Sequence, residues 1–399
     1  VRPAGEGRAW LVVAGGVAAA VHVGKLPPAI PVLREGLGLT LVEAGFLLSL
    51  VQFAGMTLGL LVGLAADRLG LKRTMVAGLA LTGLASISGG FVSTPPALLA
   101  LRALEGLGFL LASMPAPGLI RRLVPAQRMS AMLGVWGAYM PFATALALLF
   151  GPAWMAWSGW PGWWWLLGAL SLVMAFALAR QLPRDPHMSG AGPTQWTIRI
   201  RRTLVAPGPW LVAFAFGVYS AQWLAVIGFL PSIYLAAGIA PSTAAAATAF
   251  AAAVNMTGNL ASGRLLQRGV PAPRLLAIGY LTMAAAAVLA FADVLPATGA
   301  GPALRYVAVL AFSAVGGVIP GTLFSLAVRL APGEDTVSTT VGWMQQWSAL
   351  GQFLGPPAVA WVAARAGGWQ WSWVVTAGCA AGGLLLAAWA RRLPQARPH

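Results

Sequence analysis

Four ionisable side chains sit inside long apolar runs: His22 and Lys25 in the first, Arg102 and Glu105 in the fourth. A charge held at membrane depth costs several kcal/mol unless it is paired or hydrated, so such residues are functional candidates by default. His22 and Lys25 are three residues apart and share a helical face. The lysine ammonium is a compact cation suited to an anionic group, and the imidazole donates or takes a proton near neutral pH. Pro27 and Pro28 remove backbone donors and free carbonyls one turn back, an arrangement tolerated at membrane depth where it lines a cavity. Three roles stay open for Lys25: an anion site with His22, a side chain reaching outward past Pro31 to water, or a structural partner for Glu43 or Glu105. Arg102 and Glu105 also share a face. They form either a self-neutralising ion pair or a switch in which Glu105 takes a proton when Arg102 turns away. Two embedded cations against one carboxylate favour a small, monovalent anion.

The second half of the chain offers neutral chemistry instead. Tyr219, Gln222, Asn255, Asn259, Gln345, Gln346 and Gln352 lie in its apolar runs. Amides hydrogen-bond a carboxylate or carbonyl without demanding counter-charge, and they equally bridge helices. Among them, Tyr219, Gln222, Asn255, Asn259 and Gln346 join His22 and Lys25 as candidate substrate contacts.

The elements that position these residues are membrane helices. Hydrophobic residues make up 59% of the 399 residues and charged residues 9%, against about 25% charged in ordinary soluble domains. Twelve spans are predicted near 9–33, 41–65, 73–94, 96–120, 129–155, 162–182, 210–236, 243–265, 274–295, 303–328, 338–364 and 370–390, each meeting the roughly 20 residues a crossing needs. The first run lacks a small-residue cleavage site and is followed by many more, so it reads as a retained helix. With the N-terminus inside, twenty of the 25 basic residues fall in inner loops and tails. This bias orients both termini to the cytoplasm, and it accounts for the net charge of +16 without any nucleic acid. Eighteen Trp against five Tyr suit the headgroup interface.

The chain repeats at about half its length. Gly63-xxx-Asp67-Arg68 returns as Gly263-xxx-Gln267-Arg268, with Gly269 beyond. Ser130, Gly151-Pro152 and Gly159-Trp160 are matched by Ser338, Gly355-Pro356 and Gly368-Trp369, and Trp163, Trp164 and Trp165 by Trp371 and Trp373. Two parallel six-helix units are expected, at 1–182 and 209–399, joined by a polar, basic cytoplasmic linker at 183–208. A solute site between such halves lies near the midplane.

Between spans 2 and 3 the order Gly63-xxx-Asp67-Arg68-x-Gly70-x-Lys72-Arg73 resembles the loop signature of the major facilitator superfamily, with Leu71 where that signature has Arg. Arg102-x-x-Glu105-Gly106-x-Gly108 resembles the family's Arg-x-x-x-Gly-x-Gly pattern in helix 4, which is linked to proton coupling. The resemblance implies an all-α membrane protein of twelve helices in two pseudo-symmetric bundles, working by alternating access and usually as a monomer. It implies a cytoplasmic gate at Gly63, Asp67, Arg68, Gly70, Lys72 and Arg73, in which Asp67 accepts from the N–H groups at the start of span 11. It also implies proton coupling at Arg102 and Glu105. The helix-5 antiporter signature is missing: span 5 has Gly134, Gly137 and Pro141, then Gly151-Pro152. The Pro-rich span 1, followed by Leu33, Gly36, Leu37, Gly38 and Leu39, is similar to the cyanate-permease and nitroimidazole-resistance branch.

Other classes fit poorly. Only three His exist, two of them in the linker and tail at His187 and His399, and the lone Cys379 cannot form an internal disulfide or thiolate cluster. No catalytic or metal site and no cofactor is expected. The sequence points to a secondary transporter in a bacterial inner membrane that moves a small organic or inorganic anion with protons. The alternative is a proton-driven exporter of drugs or metabolites, which would tolerate Lys25→Ala.

Overall fold

The computed structural model describes residues 4–125, 132, 135–185 and 193–393, and of residues 4–5, 63–68 and 193–195 the backbone alone. Every regular element among them is helical. A bilayer core supplies no water to backbone N–H and C=O groups, so helices that satisfy both internally are the stable solution.

The first span is α1 (Ala4–Gly24) and α2 (Leu26–Leu37), broken at Lys25. Pro27 and Pro28 fall in the opening turn of α2, where their missing N–H groups leave no gap. The second span is α3 (Leu41–Ser49), a 3-10 turn at Leu50–Gln52, and α4 (Phe53–Leu69). Thr40 and Glu43 close a capping box at the start of α3, so Glu43 is committed there. Next come α5 (Leu71–Gly89), α6 (Pro95–Ser113) and α7 (Ala116–Leu123). The helical stretch α8 (Tyr139–Gln181) holds two spans, because Gly159 at φ 70° turns the chain back. The Cβ position of Gly151 consequently lies 3.4 Å from the Trp163 ring, although a straight helix would separate those residues by about 18 Å.

Beyond the first half lie α9 (Pro193–Val205), α10 (Pro207–Ala236), α11 (Pro241–Ala253), α12 (Asn255–Gln267) and α13 (Ala272–Phe291). They are followed by α14 (Gly301–Gly316), α15 (Val318–Leu330), α16 (Val337–Ala366) and α17 (Ser372–Ala390). By length and composition, 8 stretches among the described residues are apolar enough to cross a membrane. They count α8 once, and they omit α5, α11–α12 and α16, whose Gly, Ser, Thr, Asn and Gln content lowers their hydropathy.

The helix pairings repeat between halves. As α5 packs on α6 and α8, so α13 packs on α14 and α17; as α1 packs on α8, so α10 packs on α16. The twelve helices form two pseudo-symmetric six-helix bundles. Across the interface, α16 packs along α3 and α4, α2 on α10, and α8 on α11. Two features differ from the sequence expectation. The linker carries a helix, α9, and spans 1, 2, 4, 8 and 10 are interrupted rather than continuous. The interruptions at Gln52, Met114, Val254 and Gly317 fall at or beside the cavity wall described next.

Candidate functional site

A cavity of about 150 Å³ lies between the two bundles. The first half contributes Gln52 and Gly55, the end of α6, and the start of α8 with Tyr139. The second half contributes α10, α12, α15 and α16, through Tyr219, Asn255, Asn259, Phe324 and Ser348 among others. No Asp, Glu, Lys, Arg or His belongs to this wall among the described residues. Aromatic rings are prominent: Trp136 stacks on Tyr139 at 4.2 Å, and Phe216 packs against Tyr219 and Phe324.

The polar groups of the wall form two chains. In one, Asn255 Nδ2 donates to the Ser313 carbonyl at 2.8 Å and to Tyr219 Oη at 3.0 Å, while Asn255 Oδ1 accepts from Asn259 Nδ2 at 3.0 Å. The other joins the halves. Gln52 Nε2 donates to Gln352 Oε1 at 2.9 Å, Gln352 Nε2 donates to Ser348 Oγ at 3.3 Å, and Ser348 and Ser220 share a hydrogen bond at 2.7 Å. Sequence reasoning named Gln352 without placing it and missed Gln52. The signal for Gln52 was a lone amide amid apolar neighbours, where the helix tightens into a 3-10 turn.

Lys25, Arg102 and Glu105 meet elsewhere, inside the first bundle. Lys25 Nζ is ion-paired with one oxygen of Glu105, and Arg102 Nη1 reaches the other at 2.6 Å. All three are at most 2% exposed, so each charge depends on protein partners rather than water. Lys25 also donates to Ser86 Oγ at 2.9 Å and lies 4.4 Å above the Trp164 ring. Arg102 Nε donates to the Leu47 carbonyl at 3.3 Å. Trp163 Nε1 donates to the Lys25 carbonyl at 3.4 Å. His22 Nε2 pairs with Ser171 Oγ at 2.9 Å.

Of the residues expected to touch substrate, then, Tyr219, Asn255 and Asn259 line the cavity and His22, Lys25, Gln222 and Gln346 do not. Lys25 takes the third of the roles left open, as a partner of Glu105. The reason is proximity: the break after Gly24 turns its side chain into the bundle toward α5 and α6. Gln222 donates to the Val218 carbonyl in its own helix at 3.1 Å, and Gln346 accepts from the Leu60 N–H at 3.0 Å. Gln346 is thus a bridge between halves.

At the expected gate, the side chains of Gly63, Asp67 and Arg68 lie outside the described residues. The anion at a helix start there is Asp185, in the segment read as linker. Its carboxylate accepts from the N–H groups of Lys72 at 3.0 Å and Arg73 at 3.1 Å, opening α5. Lys72 Nζ in turn donates to the Leu182 carbonyl at 2.7 Å, past the end of α8. The start of α16 follows acids of its own, Glu334 and Asp335, and Asp335 pairs with Arg202 of α9 at 3.0 Å. Gly70 has φ 90°, and an added Cβ would strike the Asp185 carboxylate. Gly70→Ala is therefore expected to cost about 1–2 kcal/mol from the left-handed backbone alone, with more from displacing Asp185. A thermal midpoint equal to the parent's would contradict that account.

The fold and the cavity define a helical membrane protein of two bundles with a site between them. The family model described as Major Facilitator Superfamily matches residues 12–356, and the chain belongs to that superfamily, a family of transporters. It is 28% identical over 221 residues to the 2-nitroimidazole transporter of Escherichia coli (strain K12), covering 54% of each chain. It is 31% identical over 144 residues to the uncharacterized MFS-type transporter Rv1250 of Mycobacterium tuberculosis, covering 33% of this chain and 25% of that one. The chain thus spans about half or less of the curated relatives it matches. Among solved structures, a bacterial homolog of the human lysosomal transporter Spinster, inward-facing and occupied, superposes with a TM-score of 0.78 at 16% identity, over 98% of this chain and 97% of that one. The D-xylose-proton symporter superposes at 0.72 and 17% identity, over 96% of each chain.

Proposed function

We propose that this chain carries a small solute through the cavity between its halves by alternating access, coupled to a proton handled at the Lys25–Glu105–Arg102 cluster. The observation that carries the reading is one cavity walled by both bundles, with the Gln52–Gln352 hydrogen bond joining them at its edge. Rocking the bundles exchanges that bond and exposes the wall to the other side. The two units at 1–182 and 209–399 are the rocking bodies, and the Gly70, Lys72, Arg73 and Asp185 contacts hold the inner end of the first. Both termini face the cytoplasm of a bacterial inner membrane, and the working unit is a monomer.

The anion expected from the sequence finds no cation on the described cavity wall, while both embedded cations are held by Glu105. An uncharged solute fits that wall better, which favours the exporter-like alternative over anion symport. The name of the Escherichia coli relative supports the same choice. The test is counterflow of radiolabelled 2-nitroimidazole in proteoliposomes, with and without a pH gradient. Gradient-dependent accumulation is expected. Accumulation of small carboxylates instead, lost in Lys25→Ala, would restore the anion symporter.

A further inference from the structure

The amide of Asn255 has one possible orientation, because the Ser313 carbonyl can only accept its Nδ2 hydrogen. Its second Nδ2 hydrogen goes to Tyr219 Oη and its Oδ1 to Asn259. The Tyr219 oxygen is therefore occupied as an acceptor, and its own hydrogen has no protein acceptor among the described residues. Asn259 spends its Nδ2 on Asn255, at Oδ1 and at the carbonyl, 3.3 Å away. The Asn259 Oδ1 acceptor is left without a described donor. One fixed donor and one fixed acceptor thus belong to a wall that carries no described charge and is rich in aromatic rings. Ring faces reward a planar partner. The volume, about 150 Å³, is that of an apolar cavity known to hold a single benzene ring.

We infer that the site selects an uncharged, planar, single-ring solute that accepts a hydrogen bond from the Tyr219 hydroxyl and donates one to the Asn259 amide oxygen. The inference rests on the cavity being the transport site. A carboxylate would meet the Asn259 oxygen as a repulsion and would surrender its hydration to a wall without a described cation. An apolar ring would fill the space and leave both polar groups unpaired.

The test is calorimetric titration of the full chain in nanodiscs with benzamide, benzoate and toluene, three one-ring probes that differ in charge and hydrogen bonding. Benzamide is expected to bind at least about tenfold more tightly than either of the others, a factor worth about 1.4 kcal/mol. Tyr219→Phe is expected to weaken benzamide about tenfold and to leave toluene unchanged; a loss of both would mark Tyr219 as merely structural and overturn the assignment. Benzoate binding as tightly as benzamide, or no probe binding at all, would also overturn it. The 2-nitroimidazole counterflow decides the carrier reading separately, so accumulation there beside a failed titration would discard the solute class alone.

Discussion

Glu105→Gln is expected to be the most damaging single change in the first bundle, while Lys25→Met at the other end of the same ion pair is expected to be mild. The asymmetry follows from counting charges. Glu105 is the one carboxylate shared by two buried cations, Lys25 and Arg102. Neutralising it leaves two uncompensated positive charges, each at most 2% exposed. Removing one partner of a buried pair costs about 3–5 kcal/mol, and here two partners are stranded at once. Removing Lys25 leaves Arg102 and Glu105 as a balanced pair. Replacing a buried charge by an apolar side chain is often close to neutral when no charge is stranded, so a change within about 1 kcal/mol is expected from the lost Ser86 and Trp164 contacts. The double variant returns the cluster to one unpaired cation and should recover part of the Glu105→Gln loss. Thermal unfolding midpoints of the three variants in detergent give the ordering. Equal losses for the two single variants would show that shape rather than charge holds the cluster.

That cluster also shows what the sequence could and could not reveal. The twelve spans, the two halves and the Arg102–Glu105 pair were legible, because hydropathy runs and three-residue spacing are local properties. Glu105 was one of two carboxylates open to Lys25 in the sequence, and the choice between them was not legible. Lys25 and Glu105 are 80 positions apart, and only the packing of the first span against α6 at the end of α1 brings them together. Asp185 was read as a linker residue for the same reason: its targets, Lys72 and Arg73, are more than a hundred positions away. The helix interruptions were half legible. Pro27 and Pro28 marked the break in span 1, and Gly316, Gly317 and Pro320 carry the same kind of local signal in span 10, but nothing local marks the break at Val254, which lies where α12 presses against Gly317. The candidate substrate residues divided along the same line. Tyr219, Asn255 and Asn259 reach the cavity, and Gln222, in the same helix as Tyr219, turns back onto its own backbone.

The pressed breaks lead to the second large expected effect, at Gly317. An added Cβ there would fall on the Asn255 carbonyl, and one at Gly258 would meet the Ala314 carbonyl and, at 2.7 Å, the Val318 nitrogen. Gly317 has φ −59°, so it is required for close approach rather than for backbone freedom. The approach of α12 to α14 and α15 is what lets Asn255 donate to the Ser313 carbonyl, the bond that fixes its amide and through it Tyr219. In Gly317→Ala, helix propensity contributes about 1 kcal/mol in favour. Overpacking against backbone, which cannot rotate away, costs about 1–3 kcal/mol and occasionally more, and losing a buried hydrogen bond adds about 1–3 kcal/mol. Destabilisation wins, and binding should fall with it, because the Tyr219 donor loses its anchor. Gly263, on the same α12, has nothing within 4 Å of its Cβ position. Gly263→Ala should therefore be neutral or stabilising by up to about 1 kcal/mol, although the repeat made it the partner of Gly63. Unfolding midpoints and benzamide affinities of the two alanine variants separate the cases. If Gly317→Ala kept both at the parent's level, close packing would not be what sets the Asn255–Tyr219 geometry.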